Sequence, residues 1–281
     1  MSAGIDPGQP GVAGSAGAVP VLAGRRISVN FGGIKALADV NIEVPERSIV
    51  GLIGPNGAGK TTLLSVLSGL LRPRHGQVLI DGVDVTGLPA HRRARRGLAR
   101  TYQLPELYAG LTVREHLQIS YRLRHEHSRM WRDLLDAGGW RRPSAGEKER
   151  VDNLLEWLEL TDLQSSSVTA LPLGNSRLVE IGRALASSPR VVLLDEPLSG
   201  LDARESEALA GTLHGLVDRE NVAFLLIDHD VDTVLSRSSD VVVLEFGVVI
   251  ARGTPDQIRS NELVRTAYLG DSVDAPLEIS Q

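Results

Sequence analysis

The chain has 281 residues, enough for one large α/β domain or two small ones, and its apolar content supports an ample core. A formal net charge of −5 excludes a global electrostatic pull toward nucleic acid, and the lack of cysteine excludes disulfides, thiolate metal sites and a cysteine nucleophile. No window approaches 18 consecutive apolar residues, and the N-terminus lacks the basic-then-apolar pattern of a secretory signal, so neither a membrane span nor a leader is expected.

Residues 1–24, rich in Gly, Ala and Pro and without periodicity, read as a disordered tail, with the folded part starting at Arg25. Ile27 to Phe31 and Val40 to Val44 alternate like strands around a Gly32-Gly33 turn. Ser48 to Ile53 is an apolar strand-like run. It leads into Gly54-Pro55-Asn56-Gly57-Ala58-Gly59-Lys60-Thr61, with Thr62 following, which reads GxxxxGKT. A polyphosphate brought out of water needs many donors and no obstructing side chains. The glycines let the backbone turn its N–H groups inward, and a helix from about Gly59 aims its positive end at the phosphates. Lys60 supplies charge for the β/γ-phosphates and the Thr61 hydroxyl suits Mg²⁺. It is one of three lysines in a chain that otherwise uses arginine.

Gln77 to Ile80 with Asp81-Gly82 predicts another strand and turn. The cluster His91-Arg92-Arg93-Ala94-Arg95-Arg96 reads as a solvated helix face, since no aromatic platform accompanies it. Residues 105–170 look mainly helical. Thr112 and Glu115 form a capping box, Leu154, Leu155 and Leu158 make an amphipathic stripe, and Gly138 to Ser144 interrupts. His125 and His127 diverge on a helix and read as exposed residues, while Met130, Trp131 and Trp140 read as packing.

Beyond this region the α/β pattern returns. Val191 to Leu194 is a buried-strand run, Glu205 to Asp218 a helix, and Val222 to Ile227 another buried strand. Val241 to Leu244 and Val248 to Ala251 read as a hairpin through Glu245-Phe246-Gly247. Two carboxylates stand at the end of the first run, where open α/β sheets bind ligands. Asp195 suits Mg²⁺. Glu196, pointing the other way along a strand, suits a general base for an attacking water. His229 follows the second buried strand and suits donation to a γ-phosphate.

Joined in this order, these motifs resemble the ATP-binding subunits of ATP-binding cassette (ABC) transporters, over about Arg25 to Gly270. The resemblance implies an α/β P-loop fold with an N-terminal antiparallel β subdomain and a RecA-like parallel-sheet core. It also implies a helical subdomain at about 105–187 and a C-terminal tail at 271–281. It places Phe31 on adenine, Gln103 at Mg²⁺ and the γ-phosphate, and Ser199-Gly200-Leu201-Asp202 at a dimer interface. The signature motif LSGGQ is represented by Leu171-Pro172-Leu173-Gly174-Asn175, of which only Leu171 and Gly174 match; Asn175 keeps an amide, and Pro172 replaces the serine. Each subunit of the family meets its partner's phosphate loop through this motif.

Phe31 to Leu37, Ala99 to Gln103 and the Gly253 to Gly270 ending are similar to the branched-chain amino acid importer ATPases. The implied activity is ATP hydrolysis with ATP and Mg²⁺, in a homodimer or a heterodimer with a related subunit. The subunit sits peripherally on the cytoplasmic face of the membrane, against permease subunits served by a solute-binding protein, with no nucleic acid. The lipopolysaccharide-export ATPases are a similar group with another substrate, and soluble cassettes acting on ribosomes are a rival class. A P-loop kinase or GTPase is disfavoured, since no NKxD motif is present and Gln103, Ser199 to Asp202 and His229 fit neither.

Overall fold

The computed structural model describes residues 19–102, 107–125, 143–228 and 230–269. The chain opens with β1 (Leu22–Phe31) and β2 (Ile34–Val44), a hairpin turning at Gly32-Gly33. Then come β3 (Ile49–Ile53), α1 (Lys60–Ser68) and a second hairpin of β4 (His75–Ile80) with β5 (Val83–Asp84). A short α2 (Ala90–Ala94) and β6 (Leu98–Arg100) follow. Among the described residues, the α-helices that come next are α3 (Val113–His125), α4 (Ala145–Trp157) and α5 (Leu173–Ala186). The last part runs β7 (Val191–Asp195), α6 (Ala203–Glu220), β8 (Ala223–Ile227), α7 (Val231–Arg237), β9 (Asp240–Glu245), β10 (Val248–Gly253), α8 (Pro255–Arg259) and α9 (Glu262–Leu269).

Two sheets result. The first is antiparallel, in the order β2-β1-β4-β5. The second has the order β10-β9-β3-β8-β7-β6, parallel except for its β10 edge. Each central strand is buried on both faces, which is why it reads as an unbroken apolar run. Side chains alternate between two cores. Val191 and Leu193 join α1 and the antiparallel sheet, while Val192 and Leu194 join the helical side.

Two sequence expectations are corrected here. The packed chain starts before Arg25: Val21, Leu22 and Ala23 are buried, and Leu22 pairs with both Val44 and Ile80. Cross-strand pairing rescues three residues that a Gly/Ala/Pro-rich window hides. The basic cluster is not all solvated either. Arg93 is 1% exposed and donates to the carbonyls of Val66 (2.7 Å), Leu67 (2.8 Å), Thr86 (3.0 Å) and Leu88 (3.0 Å). The guanidinium adds donors to the last-turn carbonyls Val66 and Leu67 of α1 and complements the negative end of the dipole.

Candidate nucleotide site

The phosphate loop sits at the C-terminal end of β3. Gly54 (φ 159°) and Gly59 (φ 105°) admit no side chain: an added Cβ would lie 2.1 Å from the Leu244 carbonyl oxygen and 2.8 Å from that of Ala36. Gly57 (φ 80°) has no atom within 4 Å of such a Cβ, so open space lies above the loop. The β9–β10 turn braces the loop from behind through Gly247 N–H, which donates to the Ala58 carbonyl at 2.9 Å. Pro55, Asn56 and Ala58 complete the loop, with Thr61 exposed and Thr62 half-buried at the start of α1.

Lys60 is 7% exposed and donates to the carbonyls of Gly54 (2.5 Å) and Pro55 (3.0 Å). An ammonium has three N–H groups, so one remains for a ligand. Burial lowers its pKa, opposed by the charges of Glu196, Asp195 and Asp228. Three carboxylates thus converge on this lysine.

Asp195 ends β7, 6% exposed, and its Oδ2 accepts from Arg100 at 2.9 Å. Glu196 does not continue the strand, so the alternation expected of it fails. Its φ is +50°, and its N–H donates to the Ile227 carbonyl at 2.8 Å. A left-handed glutamate is uncommon, and such strain collects at functional sites. Asp228 was missed from the sequence. It is 1% exposed, and its carboxylate accepts from the N–H groups of Leu198 (3.1 Å) and Asp230 (3.2 Å). It therefore ties the segment after Glu196 to the end of β8. Its place immediately after the apolar run Leu225 to Ile227 was the available signal. Gln103 and His229 lie outside the described residues, as do His127, Met130, Trp131 and Trp140.

Phe31 ends β1 and is 52% exposed, presenting a free aromatic face. The signature stretch lies on the helical side. Leu171 closes a short 3-10 turn, Pro172 is the N-cap of α5, and Gly174 and Asn175 fall inside the first helical turn. The Pro172 carbonyl accepts from Ser176 N–H at 3.0 Å. A Cβ on Gly174 would stand 3.3 Å from Glu205 Oε1, and one on Gly200 would stand 3.0 Å from Leu173 Cδ2, so Ser199 to Asp202 packs beside the signature. Asp202 caps α6, accepting from Glu205 N–H at 2.8 Å in a capping box.

Of the described helices of eight or more residues, α1 and α5 alone combine an N-terminus with no side-chain cap and no acidic residue in the first turn. Both leave N–H groups and a positive dipole end for an external anion. The residues therefore fit a triphosphate: a brace of N–H groups, a buried ammonium and open space. The hard oxygen donors Asp195 and Thr61 fit Mg²⁺. Among the described residues no helix is long and apolar enough to cross a membrane.

Comparison with known proteins agrees with this geometry. Residues 37–199 match the ABC transporter family model, and residues 248–274 match a model described as branched-chain amino acid ATP-binding cassette transporter. The chain is 38% identical over 256 residues to the high-affinity branched-chain amino acid transport ATP-binding protein BraF of Pseudomonas aeruginosa, covering 90% of this chain and 99% of that one. It is 35% identical to LivG of Escherichia coli with the same coverage, and 33% identical to the lipopolysaccharide export system ATP-binding protein LptB of Haemophilus influenzae, covering 89% and 98%. Among solved structures, the ADP conformation of MJ1267, an ATP-binding cassette of an ABC transporter, matches with a TM-score of 0.76 and 30% identity, covering 89% and 98%.

Proposed function

Because this chain belongs to the ABC transporter family and is an ATP-hydrolysing subunit of that family, we propose that it powers uptake of branched-chain amino acids or related small solutes through a separate permease. The match of residues 248–274 to the branched-chain amino acid model carries this choice, since that segment lies outside the catalytic motifs. The likeness to LptB keeps export of a lipid as the second reading.

In this reading Gly54 to Thr62 cradle the triphosphate, Lys60 meets the β/γ-phosphates and Phe31 stacks on adenine. Asp195 and Thr61, with Gln103, hold Mg²⁺, which when bound neutralises charge on the phosphates. Glu196 takes a proton from the attacking water and His229 orients the γ-phosphate. The uncapped α5 N-terminus, with Leu171, Gly174 and Asn175, faces the triphosphate of a second ATPase subunit, and Asp202 lies at that interface. The pair is a homodimer or a heterodimer with a related subunit. It sits peripherally on the cytoplasmic face of the membrane, against permease subunits supplied by a solute-binding protein. Closing the dimer drives transport because the closed form prefers one permease state.

Glu196→Gln tests the chemistry. The amide keeps the shape and removes the base, so phosphate release should fall at least about a hundredfold, ATP binding should persist, and ATP should trap a dimer visible by size-exclusion chromatography. Near-normal phosphate release would refute the role of Glu196. Uptake of radiolabelled leucine by cells that co-express this chain with branched-chain amino acid permease subunits separates the two transport readings: ATP-dependent leucine uptake supports import, and its absence favours the export reading.

A further inference from the structure

Arg100 is a buried cation that the reading above does not use. It ends β6, which pairs in parallel with β7 so that Arg100 stands beside Leu193. Two residues along β7, Asp195 shares the face of Leu193, so the long side chain reaches forward to it. The guanidinium donates to Asp195 Oδ2 at 2.9 Å and to Ser68 Oγ at 3.2 Å, and its carbon lies 5.2 Å from the centre of the Tyr102 ring. Both members of the pair are less than a tenth exposed. Asp195 Oδ1 accepts no hydrogen bond from any described residue.

A buried ion pair is a poor source of stability, because desolvation offsets most of the attraction. What this one provides is orientation. Ser68 on α1 fixes the guanidinium from one side and Tyr102 from the other, so Oδ2 is held and Oδ1 is left for a ligand. The Tyr102 N–H donates in turn to Glu180 on α5 at 3.3 Å, which anchors this grip to the helix bearing the signature. Without Arg100, the carboxylate is free to turn toward Lys60, whose charge it already feels.

We propose that Arg100 is a positioning residue for the metal-binding carboxylate, setting how strongly Mg²⁺ tightens nucleotide binding. This rests on the reading of Asp195 as a Mg²⁺ ligand. The test is titration of the full chain with a fluorescent ATP analogue, once in EDTA and once in saturating Mg²⁺. Supporting groups around metal ligands commonly change metal affinity by about 10–100-fold. Arg100→Gln should therefore cut the Mg²⁺-dependent gain in affinity about tenfold and leave the EDTA affinity within about twofold. Tyr102→Leu keeps the apolar volume and the charge but removes the ring, and should cut the gain about two- to threefold; it decides the matter if Arg100→Gln does not fold. Equal loss in both titrations, an unchanged gain, or a larger gain would overturn the proposal. A wild-type protein whose affinity ignores Mg²⁺ would instead overturn the reading of Asp195.

Discussion

The phosphate loop and the signature stretch present the same physical feature by different means. Each is the uncapped, acid-free N-terminus of a helix. The loop owes its shape to local chemistry. Its glycines take conformations that side chains rarely adopt, and its phosphate-facing residues are contiguous from Gly54 to Thr62, with Ala36, Leu244 and Gly247 closing on the backbone from behind. The signature owes its shape to neighbours. Pro172 sets the entry to α5, Glu205 of α6 lies over Gly174, and Gly200 packs on Leu173. A motif held by its own backbone tolerates few changes, whereas one held by its surroundings can lose the usual serine and keep its geometry.

The largest expected effect breaks the loop side alone. Lys60→Ala removes a charge-assisted contact worth about 1.5–3 kcal/mol, so the affinity for a fluorescent ATP analogue should fall about ten- to hundredfold. Unchanged affinity would mean the loop does not hold phosphate.

Gly174→Asp probes the other side. The new carboxylate meets Glu205 Oε1 and brings negative charge to a helix start proposed to face a triphosphate. ATP binding should stay within about twofold, while ATP-dependent dimerisation and phosphate release should be lost. Normal turnover by a homodimer would remove the signature from the partner's phosphate.

Pro172→Ser sharpens the contrast with a smaller change. If the helix entry set by proline matters more than the missing hydroxyl, turnover should fall by about two- to fivefold, since giving up a proline at a compatible backbone position costs about 0.4–1 kcal/mol. A rise in ATP-dependent dimerisation would show that the hydroxyl was limiting.

The smallest effect concerns the helical side's response to pH. His116 is 1% exposed. Its Nε2 accepts from Tyr108 N–H at 2.9 Å, and its Nδ1 lies 2.9 Å from the Thr112 carbonyl, so the neutral Nδ1–H form satisfies both. Burial lowers its pKa below 6.5, aided by Arg183 and opposed by Thr112 and Glu115. Between the folded value and 6.5 the unfolded chain binds the proton and the folded chain does not. Stability therefore rises with pH through that window and falls on acidification below 6.5. In thermal melts across this range, His116→Gln, which keeps one donor and one acceptor, should show a flatter profile. A slope equal to wild type would exclude His116 as its source.

Much of this protein was legible from residues alone, because local rules governed them. The buried strands β3, β7 and β8 are apolar runs, the GxxxxGKT loop is a backbone requirement, and the Thr112–Glu115 box appears with hydrogen bonds of 2.8 Å and 3.3 Å. What the tertiary structure decided depends on partners distant in sequence. Leu22 joins the core through Val44 and Ile80, Arg93 leaves solvent for the end of α1, and Arg100 reaches Asp195 on the neighbouring strand. Glu196 changes direction through a left-handed turn anchored on β8. A chain segment records its own backbone preferences, but where a charge finds its counter-charge is set only when the strands are laid side by side.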